Sequence, residues 1–164
     1  RQKVVTEDLF DRDFNMRVEE MDASADVVVV FGGTNDFGHG DAPIGKFTDN
    51  TVYTFYGALH VLYRQLLERF PEKDIIVLTP LHRLSENVTI NERGIPCEPL
   101  KKYVEAIREV AEYYSLPVLD LWKMSGMQPS VDVIREKYMP DGLHPSDLGA
   151  AKIADKLRDF LISL

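Results

Sequence analysis

A chain of 164 residues, 45% apolar and 28% charged, has the material for one packed domain; disordered and fibrous compositions are excluded. Its net charge of -8 opposes binding to nucleic-acid phosphates or to an anionic membrane surface. Cys97 is the single cysteine, which rules out an intramolecular disulfide and a cysteine-based zinc site and suits a reducing, cytoplasmic setting.

In chain order, Phe10, Phe14, Val18 and Met21 form a weak apolar stripe that predicts a helix over about 8–21. Val27-Val28-Val29-Val30-Phe31 is a continuous run ending at Gly32-Gly33. A strand apolar on both faces needs cover on both faces, as in a parallel sheet. Val52, Phe55, Leu59, Leu62, Leu66 and Phe70 recur at helical spacing and stop at Pro71. Ile75 to Thr79 is a second strand, ended by Pro80. The 20 residues from Pro80 to Pro99 carry no periodicity, and loops of that length are often functional. A second helical stripe runs through Leu100, Val104, Ile107, Val110 and Tyr114, followed by a short third strand, Val118 to Leu121. Trp122 to Tyr138 is irregular. Ala150, Ile153, Leu157, Phe160 and Leu164 mark the last helix, with Ser146 as its N-cap.

The order α-β-α-β-α-β-α, without repeat or linker, reads as a single α/β domain over 1–164 with a parallel sheet between helical layers. Three strands make a small sheet for this class, and the chain starts on a helix at Arg1. A leading strand-helix portion is therefore expected upstream. No apolar run reaches the roughly 18 residues of a membrane helix.

In open α/β sheets ligands bind beyond the carboxyl ends of the strands. After the first strand comes Gly32-Gly33-Thr34-Asn35-Asp36-Phe37-Gly38-His39-Gly40, a loop that lets backbone approach a ligand. Asn35 can offer its amide N–H to an oxyanion, and Asp36 can brace the loop by accepting backbone N–H bonds. An ordinary strand-to-helix turn is the competing reading. Before the last helix, Asp141 and His144 stand three apart in Asp141-Gly142-Leu143-His144-Pro145. A turn held by Gly142 and Pro145 can bring carboxylate onto imidazole, fixing its tautomer for proton transfer. A capped helix start with a surface histidine is the alternative.

Together, Gly33-Thr34-Asn35-Asp36 and Asp141-Gly142-Leu143-His144-Pro145 resemble the third and fifth blocks of the SGNH/GDSL-type serine esterases and acylhydrolases, G-x-N-D and D-x-x-H. The resemblance covers the whole chain. It implies a three-layer, flavodoxin-like α/β/α sandwich whose N-terminal strands are missing here, with five strands in the complete sheet. It also implies roles: His144 as general base, Asp141 as its orienting partner, Asn35 as oxyanion donor, and Gly33 as the residue shaping that loop. The implied activity is hydrolysis of carboxylic esters (short acyl or acetyl, with carbohydrate acetates included) through an acyl-serine intermediate.

The family's Gly-Asp-Ser block is not in this chain. Serines 24, 85, 115, 125, 130, 146 and 163 all lie outside a Gly-rich strand end before Asn35. The nucleophile is expected upstream of Arg1. A non-catalytic, esterase-like binding module for glycan or protein is the rival reading, and a flavodoxin-like nucleotide binder, which lacks any phosphate-loop motif, ranks last. His39, His82 and Trp122 are substrate-pocket candidates, while His60 reads as structural. No histidine pair has metal-ligand spacing, so neither metal nor cofactor is expected. The expected partner is a small-molecule ester, with no nucleic acid and no membrane.

Overall fold

A computed structural model describes residues 13–164. β-Branched residues are stiff at χ1 and fit an extended, pleated backbone. Three such runs form β1 (Val27–Phe31), β2 (Asp74–Leu78) and β3 (Val118–Leu119), parallel and in the order β1-β2-β3. Val29 lies opposite Ile76, and Leu78 opposite Leu119.

Alternation sends the strands into two cores. Val28, Val30, Ile75 and Val77 pack with α3 (Phe55–Arg69) and α4 (Leu100–Tyr113). On the other face Ile76, Leu78 and Leu119 join Leu121, Met127 and Met139, and α7 (Asp147–Ser163) lays Ile153, Leu157 and Phe160 over them. The result is the expected sandwich: helices, parallel sheet, helices. α7 lies over Ile76, Leu78 and Leu119 of β2 and β3. On that face of β1, Val27, Val29 and Phe31 are 39%, 41% and 43% exposed, and among the described residues β1 pairs on one side alone.

Element ends depart from expectation where side chains cap the backbone. The helix expected over 8–21 lies partly outside the described residues; from Phe14 it is a short α1 (Phe14–Arg17) followed by a 3-10 turn, Val18–Glu20. Asp13 starts it, its carboxylate accepting from the Met16 amide at 3.0 Å. The long helix begins at Phe55 rather than Val52 because the Thr54 hydroxyl accepts from the Gly57 amide. β3 stops at Leu119: Asp120 caps α5 (Leu121–Met124) by accepting from the Lys123 amide at 3.2 Å. Within 122–138 the structure adds α6 (Asp132–Tyr138). The segment 80–99 contains no helix and one isolated bridge, Ile90 to Pro96.

Candidate active site

The stretch after β1 is not the open loop its glycines suggest. Thr34–His39 forms α2, a short helix whose first turn carries Asn35 and Asp36. Gly33 makes the transition possible. It sits at φ 102°, a backbone state that side chains rarely adopt, and a Cβ there would stand 2.9 Å from Ile107 Cδ1. Asn35 is exposed. The Asp36 side chain is largely buried, and burial raises its pKa above the ordinary carboxylate range. Phe37, behind it, is 1% exposed and meets the Tyr103 ring edge-on at 5.9 Å.

The second cluster lies just ahead of α7. Asp141 Oδ2 is 2.6 Å from His144 Nδ1. Its other oxygen accepts the amides of Leu143 at 2.9 Å and His144 at 2.7 Å. These bonds, the His144 ring contact first, hold the Asp141 carboxyl well below the usual carboxylate range. Gly142 turns the chain at φ +78°, and its amide donates to Met139 O. Ser146 caps α7 as expected, accepting from the Gly149 amide at 3.2 Å while its hydroxyl donates to Lys137 O at 2.8 Å. Both ends of the turn are thereby bonded to the backbone of the α6 end, at Met139 and Lys137. The imidazole itself is open, 75% exposed. With Nδ1 committed to Asp141, Nε2 is the nitrogen left to exchange a proton.

A cavity of about 280 Å³ runs along β1, lined in part by Phe31, Gly33, Asn35, Asp36, Val52 and Tyr63. Asn35 and Gly33 thus adjoin a hollow, whereas His39, His82 and Trp122 are not among its lining. His82 and Trp122 do meet each other, their rings 3.7 Å apart and tilted by 32°. His82 Nδ1 is 2.8 Å from Glu86 Oε2. His60 is set among Phe47, Tyr113 and Tyr114, with Nδ1 3.3 Å from the Tyr114 hydroxyl. Among the described residues Asp141 is the one side chain hydrogen-bonded to the His144 ring, and no group of three His, Cys, Asp or Glu is placed to hold a metal. Ser125 is buried, its hydroxyl oxygen accepting from the Met127 amide.

The sequence profile of the GDSL-like lipase/acylhydrolase family matches residues 4–152, which includes both clusters. The chain belongs to that family. Membership makes it a hydrolase of the GDSL type. A solved structure from Lactobacillus plantarum is 32% identical, with a TM-score of 0.81 over 91% of this chain and 72% of its own. A possible lipase from Chitinophaga pinensis shares the fold at 22% identity, with a TM-score of 0.66 over 93% of this chain and 79% of its own. A peptidoglycan O-acetylesterase shares it at 20% identity, with a TM-score of 0.63 over 92% of this chain and 40% of its own. No protein of curated function matches the sequence.

Residue roles that sequence reasoning missed belong to the 80–99 segment. Arg83 and Asn91 are 8% and 7% exposed, and both reach the α2 region: the Arg83 guanidinium lies 5.4 Å from the Phe37 ring centre, and Asn91 Nδ2 donates to Gly40 O at 2.8 Å. Nothing in their local pattern signals this, because their partners are more than forty residues away.

Proposed function

We propose that this chain carries the proton-transfer and oxyanion half of an ester hydrolase acting through an acyl-serine intermediate, with the serine supplied from upstream. The 2.6 Å contact between Asp141 and His144 carries the reading. His144 Nε2 takes the serine proton as Oγ bonds to the ester carbonyl carbon, and Asp141 stabilises the imidazolium that results. The carbonyl oxygen becomes an oxyanion to which the Asn35 amide donates; a preorganised donor of this kind is worth about 3 kcal/mol of barrier. Nε2 then returns the proton to the departing alcohol, and water, activated by the same nitrogen, releases the acid.

The edge of β1 that is unpaired among the described residues suits an upstream strand bearing that serine. It is next to Asn35, and the uncovered Val27, Val29 and Phe31 would be shielded by the helix following such a strand. Short acyl groups, carbohydrate acetates among them, are the class we favour, because the His82–Trp122 ring pair and the hydrogen-bonded 80–99 segment occupy the ends of β2 and β3. Likeness in fold to a peptidoglycan O-acetylesterase is compatible with that class.

Intact-mass analysis of the full-length protein after fluorophosphonate treatment tests the reading. One adduct on a serine upstream of Asn35, and loss of p-nitrophenyl acetate turnover in His144→Ala, are expected. No adduct and no turnover would move the assignment to a binding module; unchanged turnover in His144→Ala would remove His144 from the mechanism.

A further inference from the structure

We infer that residues 80–99 are a positioning clamp in which two neighbouring side chains hold the two halves of the site separately, Arg83 holding α2 and with it Asn35, and Leu84 holding the turn that carries His144. The inference rests on the ester-hydrolase reading only for the names of those halves. The contacts stand by themselves.

The segment leaves β2 through Pro80 and Leu81, both buried, and is nailed at its first bend by Glu86. That carboxylate accepts the Arg83 amide at 3.1 Å and pairs with His82, while its backbone carbonyl accepts from Leu100 at the start of α4. Arg83 then turns one way. Its guanidinium lies over Phe37, donates to Glu92 Oε1 at 2.7 Å, and brings Nη1 within 2.9 Å of where a Cβ on Gly38 would be. Glu92 donates its amide to Gly38 O at 2.9 Å, and Asn91 donates to Gly40 O. The carboxyl end of α2 is thus tied down by three neighbouring groups. A six-residue helix has little cooperativity of its own, so its orientation comes from these ties and from Phe37's burial against Tyr103.

Leu84 turns the other way. Its amide donates to Gly142 O at 3.0 Å, and its side chain lies over Gly142, with Cγ 2.6 Å from the position of a Cβ there. Half-exposed as it is, Leu84 covers the glycine on which the Asp141–His144 turn pivots. Misplacing a proton-transfer group by about 1 Å can cost on the order of a hundredfold in rate, so a residue that sets this turn acts on chemistry without touching substrate.

Two variants of the full-length protein separate the halves, with p-nitrophenyl acetate kinetics and the carbon-NMR titration of the Asp141 carboxyl as readouts. Leu84→Ala is expected to lower kcat about tenfold with little change in KM, and to move the Asp141 titration up toward its ordinary value. Arg83→Met is expected to lower kcat by a similar factor and leave the Asp141 titration in place, with Arg83→Lys recovering part of the rate through its ion pair to Glu92. Thermal melts confirm folding, and Leu84→Val supplies a milder second variant. Unchanged kcat in either variant, or the same Asp141 shift in both, would overturn the clamp. Were the parent to turn over no ester, the ester reading would fall, yet Leu84→Ala must still move the Asp141 titration and Arg83→Met must not.

Discussion

The two glycine turns that present Asn35 and His144 are built on opposite plans. The His144 turn is mostly local: Asp141 bonds to residues 143 and 144, Gly142 to Met139, and Ser146 to residues 137 and 149, with the Leu84 amide on Gly142 O as the distant bond. The Asn35 turn is held from afar. Gly33 has Ile107, Phe55 and Pro80 around it, Phe37 rests on Tyr103, and Gly38 and Gly40 are bonded by residues 92 and 91. A site assembled this way has one part whose bonds come mainly from its own short sequence, with Leu84 as its distant tie, and one that exists only after the sheet and α3, α4 have packed. Damage at the first should be confined to chemistry, and damage at the second should reach the fold.

The largest expected effect follows from that contrast at Gly33. A side chain there meets both a positive φ and the Ile107 methyl in the main core, so Gly33→Ala should cost about 2–4 kcal/mol of stability in urea unfolding. At Gly142 the crowding partner is Leu84, half-exposed and free to swing aside, and only the backbone strain remains. Gly142→Ala should therefore cost about 1–2 kcal/mol while displacing the clamp and lowering esterase turnover at least as far as Leu84→Ala does. Equal destabilisation by the two substitutions would show that the His144 turn depends on the packed core as much as the Asn35 turn does.

The same division explains what could be read from the sequence. The three strands, the α3, α4 and α7 stripes, the Ser146 cap and the proximity of Asp141 to His144 all depend on residues a few positions apart, where periodicity and turn chemistry act. The β1–α2 stretch reads as an open loop because Gly, Asn and Asp are turn formers by propensity; Phe37 burying itself between α4 and the 80–99 segment makes it helical instead. Strand ends moved for a similar reason. Asp120 looks like part of a β run, but its carboxylate also receives Thr79 Oγ1 at 2.9 Å and pairs with Arg108 at 2.8 Å, so it serves as a junction between strands and α4 rather than as strand. The roles of Arg83 and Asn91 as ties to α2 have no local signal, since what they hold is brought near only by the fold.

The smallest effect, and the sharpest test of the contrast, is the pH dependence of two carboxylates. Burial raises the pKa of Asp36 in the folded protein, so its ionisation works against folding at neutral pH, and that penalty fades as pH falls through the raised value. Asp141 is shifted the other way by the His144 ring and the amides of residues 143 and 144. Its contribution is complete above the unfolded value of about 3.9 and is lost only as pH drops below that, toward its depressed folded pKa. Unfolding free energies measured from pH 7 downward should show Asp36→Asn more stable than the parent at pH 7, with the gap closing on acidification. Asp141→Asn should be less stable at pH 7, with its gap holding steady until about pH 4 and closing beyond it. Should both gaps close over the same range, the two carboxylates share one environment, and the division between a packed, core-dependent half and an open, locally built half would not hold.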